Sequence, residues 1–574
     1  MPLTTKYLPA AYTDSRPFAI GNMNNNNKVE QRAEELNGST PLGAAPDADP
    51  TPESRQPIEP EVAAAGELSA ASVAEKLSFL GDVLKLAWGT GSAQVVAVLA
   101  ALVTARLFAP SAFGVAALFA SISSLVIIIS TLRYELAIML PKHNKDSVNV
   151  VAVSVLFVLL ISAAIAGLAW ASGDLLPRLL KAPDLRRYLW LLPVNVFFGG
   201  LFSVLNRWNS RQKCFTRLMV VQIVNAACTA GAQVGLGLAG RNSGGYLIAA
   251  AILGLATSTS MLALLTWRDN GRLFVANVRW NRVVAALKRY RRFPKYSTAK
   301  ALLDVVAWQM PVWFLSSGFS TAVVGRYALG TKLLHMPMNL IGNNVAIVFF
   351  QRVAKAKHEG RLAQAVESSF RCLAVLSLFP CLLVALTGKD LFVVSFGRTW
   401  AEAGVYAQIL SIWICVWFLS SPLGMLLDVL EKQALHLRLS FLNVVTRFAA
   451  LGLGMMTRSP RMILALLVIC GVFVYGYYGV LILKHSGLSP WKMLPIMIKY
   501  LLRFVPASIV IVALRYLGTP SIVMVAAAGI MVVAYYLYVL TTEPEVLGLA
   551  MARFTSPRVS VNNHAVRNSG PTAA

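Results

Sequence analysis

Fourteen apolar stretches, each long enough to cross a bilayer as a helix, follow one another from about residue 85 to residue 540. A helix needs about 20 residues to cross the hydrocarbon core. Inside that core every backbone N–H and C=O has to be satisfied within the segment. Such a chain is expected to fold as an all-α polytopic membrane protein. The stretches lie at about 85–107, 113–140, 147–171, 186–206, 215–239, 244–267, 298–317, 321–350, 367–387, 403–429, 435–456, 460–483, 497–517 and 521–540. Charged residues make up 14% of the chain, against about 25% in a soluble globular protein. The longest interior connection, 268–297, is too short for a catalytic domain, which argues against an enzyme.

The six cysteines include no CxxC pair and no Cys/His cluster with metal-ligand spacing. No cofactor and no metal is called for. The formal net charge is +26. A balance like this often marks a nucleic-acid binder, but its distribution points elsewhere. Residues 1–80 hold eleven acidic against six basic residues and show no hydrophobic periodicity. Such composition cannot offset the entropy of ordering, so residues 1–72 are expected to form a disordered acidic cytoplasmic tail. Loops after even-numbered spans carry 24 basic residues, the other set 11. Basic residues concentrate on the cytoplasmic side, which predicts both termini in the cytoplasm. The connection 268–297, with RWNRVVAALKRYRRFPK, then reads as a basic, amphipathic cytoplasmic linker beside anionic headgroups, with no need for nucleic acid.

An internal repeat divides the chain. RLFAPSAFGVAALFAS at 106–121 has a counterpart, FLSSGFSTAVVGRYALGTKLL at 314–334, about 212 residues later. Basic stretches follow both, at 140–146 and 351–360. Six spans separate equivalents, so the halves share one orientation and are related by an axis along the membrane normal. The expected organisation is an N-terminal six-helix lobe (80–267), the linker, a C-terminal six-helix lobe (298–485), two extra helices (486–545) and a cytoplasmic tail (546–574). A cavity between two such lobes is a transporter architecture.

Ionisable and amide side chains inside spans are costly and usually face a cavity. In the eighth span Lys332, His335, Asn339 and Asn343 fall on one helical face. His436, Ser440, Asn443 and Arg447 repeat the pattern in the eleventh, and Gln222, Asn225, Thr229 and Gln233 in the fifth. Arg133 and Glu135 in the second span are two apart, so on a helix they share no face and form no simple local pair. Asp304 follows Lys300 by four residues, Arg326 opens the eighth span and Asp428 closes the tenth. Cations outnumber anions in this candidate lumen, which suits an anionic passenger. Arg133, Lys332, His335, Asn339, Asn343 and Arg326 are therefore the substrate-binding candidates. Glu135 and Asp304 are the ion-coupling candidates. His436, Asn443, Arg447, Gln222 and Asn225 are secondary cavity candidates.

Four segments carry a resemblance: LFAPSAFGVAALFASISSLVIIISTLRYELAIMLPK at 107–142, FPKYSTAKALLDVVAWQMPVW at 293–313, GRYALGTKLLHMPMNLIGNNVAIVFFQR at 325–352 and FGRTWAEAGVYAQILSIWICVWFLSSPLGMLLDVLEKQ at 396–433. They resemble the oligosaccharide flippases of bacterial polysaccharide biosynthesis, in the superfamily that also holds multidrug and toxin extrusion exporters. The resemblance implies a lipid-linked oligosaccharide, carried on undecaprenyl diphosphate across the bacterial inner membrane by ion-driven alternating access. It also implies a surface polysaccharide, exopolysaccharide or O-antigen as the end product. Membrane lipids are the expected surroundings, and a polysaccharide polymerase and export complex the expected partners. Family cavities are cationic, which adds weight to Arg133, Lys332 and His335. The competing expectation is a cation-coupled multidrug exporter, which needs acidic residues deep in its cavity.

Overall fold

The computed structural model describes residues 89, 91–171, 183–337, 342, 349, 352–353, 356–357 and 359–543. The expected tails at 1–72 and 546–574 lie outside them, as do Asn339 and Asn343. The described residues form helices and no strand. Among the described residues eleven helices are long and apolar enough to cross a membrane, so this is a multi-pass membrane protein. Helices also occupy the places of the first, seventh and eighth expected spans, Gly91–Leu107, Thr298–Gly318 and Thr321–Pro337. Each of these three places polar side chains along a cavity or between the lobes.

The N-terminal set consists of α1 (Gly91–Leu107), α2 (Pro110–Thr131), α3 (Asn144–Ala171), α4 (Leu192–Arg211), α5 (Phe215–Leu238) and α6 (Gly244–Asn277). The expected linker is largely helical. The last helix of that set runs on to Asn277, and α7 (Trp280–Arg289) follows. Val283 and Ala286 bury one face of α7 in the cluster of Tyr134, Val148 and Val151, and its basic residues stay exposed. The C-terminal set is α8 (Thr298–Gly318), α9 (Thr321–Pro337), α10 (Leu362–Phe396), α11 (Ala401–Ser420), α12 (Gln433–Met456) and α13 (Pro460–His485). Two more helices, α14 (Leu494–Tyr516) and α15 (Ser521–Thr542), lie against α10. Tyr535 stacks on Phe379 at 4.1 Å and donates to the Val375 carbonyl. Asp390 accepts from Arg515 and Ser521, both at 2.8 Å.

The repeat shows itself where the halves touch. Gly114 of α2 lies against Thr321 of α9, and Gly325 of α9 against Pro110 of α2. Both members of each equivalent pair, Pro110/Thr321 and Gly114/Gly325, are 211 residues apart, so the contact is reciprocal about a two-fold relation. Small residues four apart let helix backbones approach closely in a membrane. Further bonds join the lobes along the same seam. Trp400 Nε1 donates to the Ala105 carbonyl at 2.7 Å, Trp313 Nε1 to Ser121 Oγ at 2.9 Å and Gln309 Nε2 to Ser124 Oγ at 3.1 Å.

Candidate functional site

A chamber of about 410 Å³ opens between α1, α5 and α9. Gln94, Gln222, Asn225, Thr229 and Gln233 line it from the N-terminal lobe, and Lys332 reaches in from the other lobe. An adjoining cavity of about 300 Å³ shares Lys332 and Gln233 and adds Thr104 and Asn195. The amide stripe of the fifth span and the lysine of the eighth, separate in sequence, thus meet at one place. Among the described residues that line it, Lys332 is the single cation, set amid neutral donors and acceptors. Such a lining can neutralise part of an anionic group and hydrogen-bond its hydroxyl-bearing neighbours.

His335 departs from the expectation that it shares this lumen. Three residues beyond Lys332, its ring sits 5.3 Å from Trp308 and 5.4 Å from Trp417. The two side chains thus meet different surroundings, the amide-lined chamber for Lys332 and the tryptophans for His335. Arg447 is likewise no lumen residue. It is 2% exposed and lies 4.8 Å from the ring centres of both Trp308 and Trp413. It donates to the Ala307 carbonyl at 2.9 Å, while Nε and Nη2 have no partner. Two indole faces supply the cation–π attraction that offsets part of its desolvation.

Behind this aromatic wall lies a third cavity, of about 420 Å³, inside the C-terminal lobe. Asp304, Asp428, His436, Ser440 and Asn443 line it together with Trp308, Trp417, Tyr475 and Tyr478. The first three members of the eleventh-span stripe therefore do face a cavity, but a different one from Lys332.

Arg133 and Glu135 form an ion pair at 3.3 Å, contrary to the helical reading of that segment. The reason is a break. α2 stops at Thr131, and Leu132 and Arg133 take left-handed φ values of 46° and 60°. Such a conformation costs a non-glycine residue about 1–2 kcal/mol. Arg211 anchors the displaced chain beyond it by donating to the carbonyls of Ile138 at 3.1 Å and Pro141 at 2.7 Å. Glu135 is 4% exposed, and its Oε2 and Arg133 Nε are buried without partners. Across the lobe boundary, Arg133 lies within electrostatic reach of Asp304. Arg326 lies at the other end of its helix, within electrostatic reach of Glu402, which Arg461 holds by two bonds of 2.8 Å.

Residues 103–405, more than half of the chain, match the profile of a family described as polysaccharide biosynthesis protein. The chain belongs to that family. Among solved structures, this polysaccharide biosynthesis protein is similar to the lipid II flippase MurJ in an inward closed conformation. The TM-score is 0.63 at 11% identity, over 80% of this chain and 99% of that one. A MATE family multidrug resistance transporter of the MOP superfamily, in an inward-facing conformation, gives 0.49 at 13% identity over 70% and 94%. A MATE transporter from Vibrio cholerae gives 0.48 at 13% identity over 73% and 98%. No curated protein matches the sequence. The family is thus a polysaccharide biosynthesis family, and the fold is that seen in the lipid II flippase MurJ.

In this polysaccharide biosynthesis protein the aromatic wall was the feature that sequence reasoning missed. Trp413 and Trp417 are four apart on one helix, and Trp308 follows Asp304 by four. Those spacings place each pair on a common face, and a search for aromatic as well as polar stripes would have found them.

Proposed function

We propose that the protein moves a lipid-linked oligosaccharide, carried on undecaprenyl diphosphate, from the cytoplasmic to the periplasmic leaflet of the bacterial inner membrane. The observation that carries this reading is Lys332 standing in an amide-lined chamber between two lobes. The lysine would meet the diphosphate, and Gln94, Gln222, Asn225 and Gln233 the first hydroxyls. The chamber lies between α1 and α9, and Val95 and Leu99 of α1 are exposed. That supports a lateral opening through which the prenyl chain stays in the bilayer. Transport would run by rocking of the lobes about the Gly114/Gly325 contact, driven by an ion gradient. Arg133, half free of Glu135, would be a second phosphate ligand at the cytoplasmic entrance. Glu135 and Asp304 are the carboxylates available for coupling. Both termini would be cytoplasmic, with a polymerase and export complex receiving the glycan.

The test is export of a surface glycan by a strain whose only copy carries Lys332→Ala. Loss of export with normal protein in the membrane is expected, and Lys332→Arg should restore part of it. Normal export by Lys332→Ala would overturn the reading. The carboxylates of the third cavity favour a second reading, a cation-coupled multidrug exporter. Drug sensitivity of a deletion strain with intact surface glycan would favour that instead.

A further inference from the structure

The cavity inside the C-terminal lobe is left without a role by the chamber at Lys332. Its lining has two properties that point to a ligand. The first is a set of flat apolar faces, Trp308, Trp417 and Tyr475, bordered by hydrogen-bonding side chains. The second is a pair of polar atoms short of partners. Asn443 Oδ1 is buried and accepts no hydrogen bond. His436 Nδ1 stands 3.5 Å from Asp428 Oδ1 and makes no hydrogen bond either. Buried polar atoms in folded proteins are nearly always satisfied, so Asn443 Oδ1 marks a position where a ligand atom belongs, while His436 Nδ1 already has the Asp428 carboxylate beside it.

The chemistry of the lining narrows the ligand class. Among the described residues no group of three or more His, Cys, Asp or Glu side chains is placed to hold a metal ion. An anion would meet Asp304 and Asp428. A purely apolar molecule would leave Asn443 and both carboxylates desolvated without partners. A pyranose ring fits all of these. Its C–H faces suit an indole. Each hydroxyl both donates and accepts, so it can satisfy the Asn443 oxygen, a carboxylate or His436. The volume of about 420 Å³ falls within the range of small-molecule sites, about 300–1,000 Å³.

We propose that this cavity is a saccharide subsite, in which sugar units of the passenger stack on Trp308 and Trp417 and hydrogen-bond to Asn443, His436 and Asp304. It rests on the flippase reading for the identity of the passenger. Lys332 holds the phosphate end in one chamber, and the glycan reaches past the aromatic wall into the other. Asp304 then serves sugar hydroxyls, and Glu135 is the carboxylate left for coupling.

The test uses the full-length protein in lipid nanodiscs, with the native cysteines replaced by serine and Ser440→Cys added on the lining. Alkylation of that thiol is followed while glucose, N-acetylglucosamine or maltose is added. At least one of these sugars should slow alkylation. Asn443→Ala and, separately, Trp417→Ala should raise the half-protecting concentration about tenfold, the loss that goes with one buried contact. Leu453→Ala, on the exposed side of α12, should leave it unchanged. Protection by none of the sugars, or by sodium but by no sugar, overturns the subsite. The two readings fail separately. If Lys332→Ala abolishes export and no sugar protects, the subsite falls and the flippase stands. If sugars protect and Lys332→Ala exports normally, the subsite stands and the role of Lys332 falls.

Discussion

At the crossing of α2 and α9 a methyl group has no room. A Cβ added to Gly114 would stand 1.7 Å from the Thr321 carbonyl oxygen, and one added to Gly325 would stand 1.8 Å from that of Pro110. Ordinary contact starts at 3.4 Å, so Gly114→Ala forces the two backbones apart by about 1.7 Å. Overpacking of this kind costs about 1–3 kcal/mol, which shifts a two-state equilibrium by about 5- to 150-fold. The crossing joins the lobes, so the shift favours a state in which they part along this seam. Gly325→Ala meets the same obstacle from the other side. One separation relieves both clashes, so the double variant should cost little more than either single one. The assay is alkylation of Ser121→Cys by an impermeant maleimide in a cysteine-free background. Ser121 is buried at the lobe seam, where it accepts from Trp313. Each single glycine variant should raise its rate by the stated factor. Unchanged rates, or a double variant whose effect is the product of the singles, would refute the shared-separation argument.

Three further outcomes are expected. Arg447→Ala removes two cation–π contacts and leaves a void between Trp308 and Trp413, and should cost about 3 kcal/mol in thermal unfolding of the purified protein. Trp400→Phe loses the bond to the Ala105 carbonyl, 2.7 Å long and buried, and should cost about 1 kcal/mol while raising the reactivity of Ser121→Cys. Burial alone would raise the Glu543 carboxyl, but hydrogen bonds from Lys499 and Tyr500 and the charge of Arg503 outweigh it and hold the group below its ordinary value of 4.5. A depressed carboxylate stabilises above its unfolded value, and that contribution disappears as pH falls through the folded value. The melting-temperature gap between the native protein and Glu543→Gln should therefore be widest at neutral pH and close in acid.

Much of the fold was legible because a membrane leaves few choices. Length and apolarity place most of the spans, and the basic loops set an expected orientation. The repeat at 106–121 and 314–334 correctly foretold a symmetric pair of helices. Legibility failed where the local backbone left the helix. Arg133 and Glu135 pair because α2 breaks at Leu132, and no apolar count registers a break that Arg211 stabilises from another helix. The tenth span, by contrast, is interrupted where a proline stands, passing through a 3-10 turn at Pro422–Gly424 before a short helix, Met425–Val429. Asp428 on that short helix lines the C-terminal-lobe cavity.

By itself the sequence determined the helices, their number within narrow limits, the two-fold repeat and the few polar side chains that such helices can carry. Those follow from desolvation, which acts residue by residue and can be summed along a chain. Only the tertiary structure decided which polar side chains share a cavity. Lys332 joined the amides of α5, His335 and Arg447 went to the tryptophans, and His436 and Asn443 faced a separate chamber. That sorting depends on how helices rotate against one another, which is fixed by contacts such as Gly114 against Thr321 between residues some 200 positions apart. Periodicity shows which side chains share a face, and packing alone shows what that face looks at.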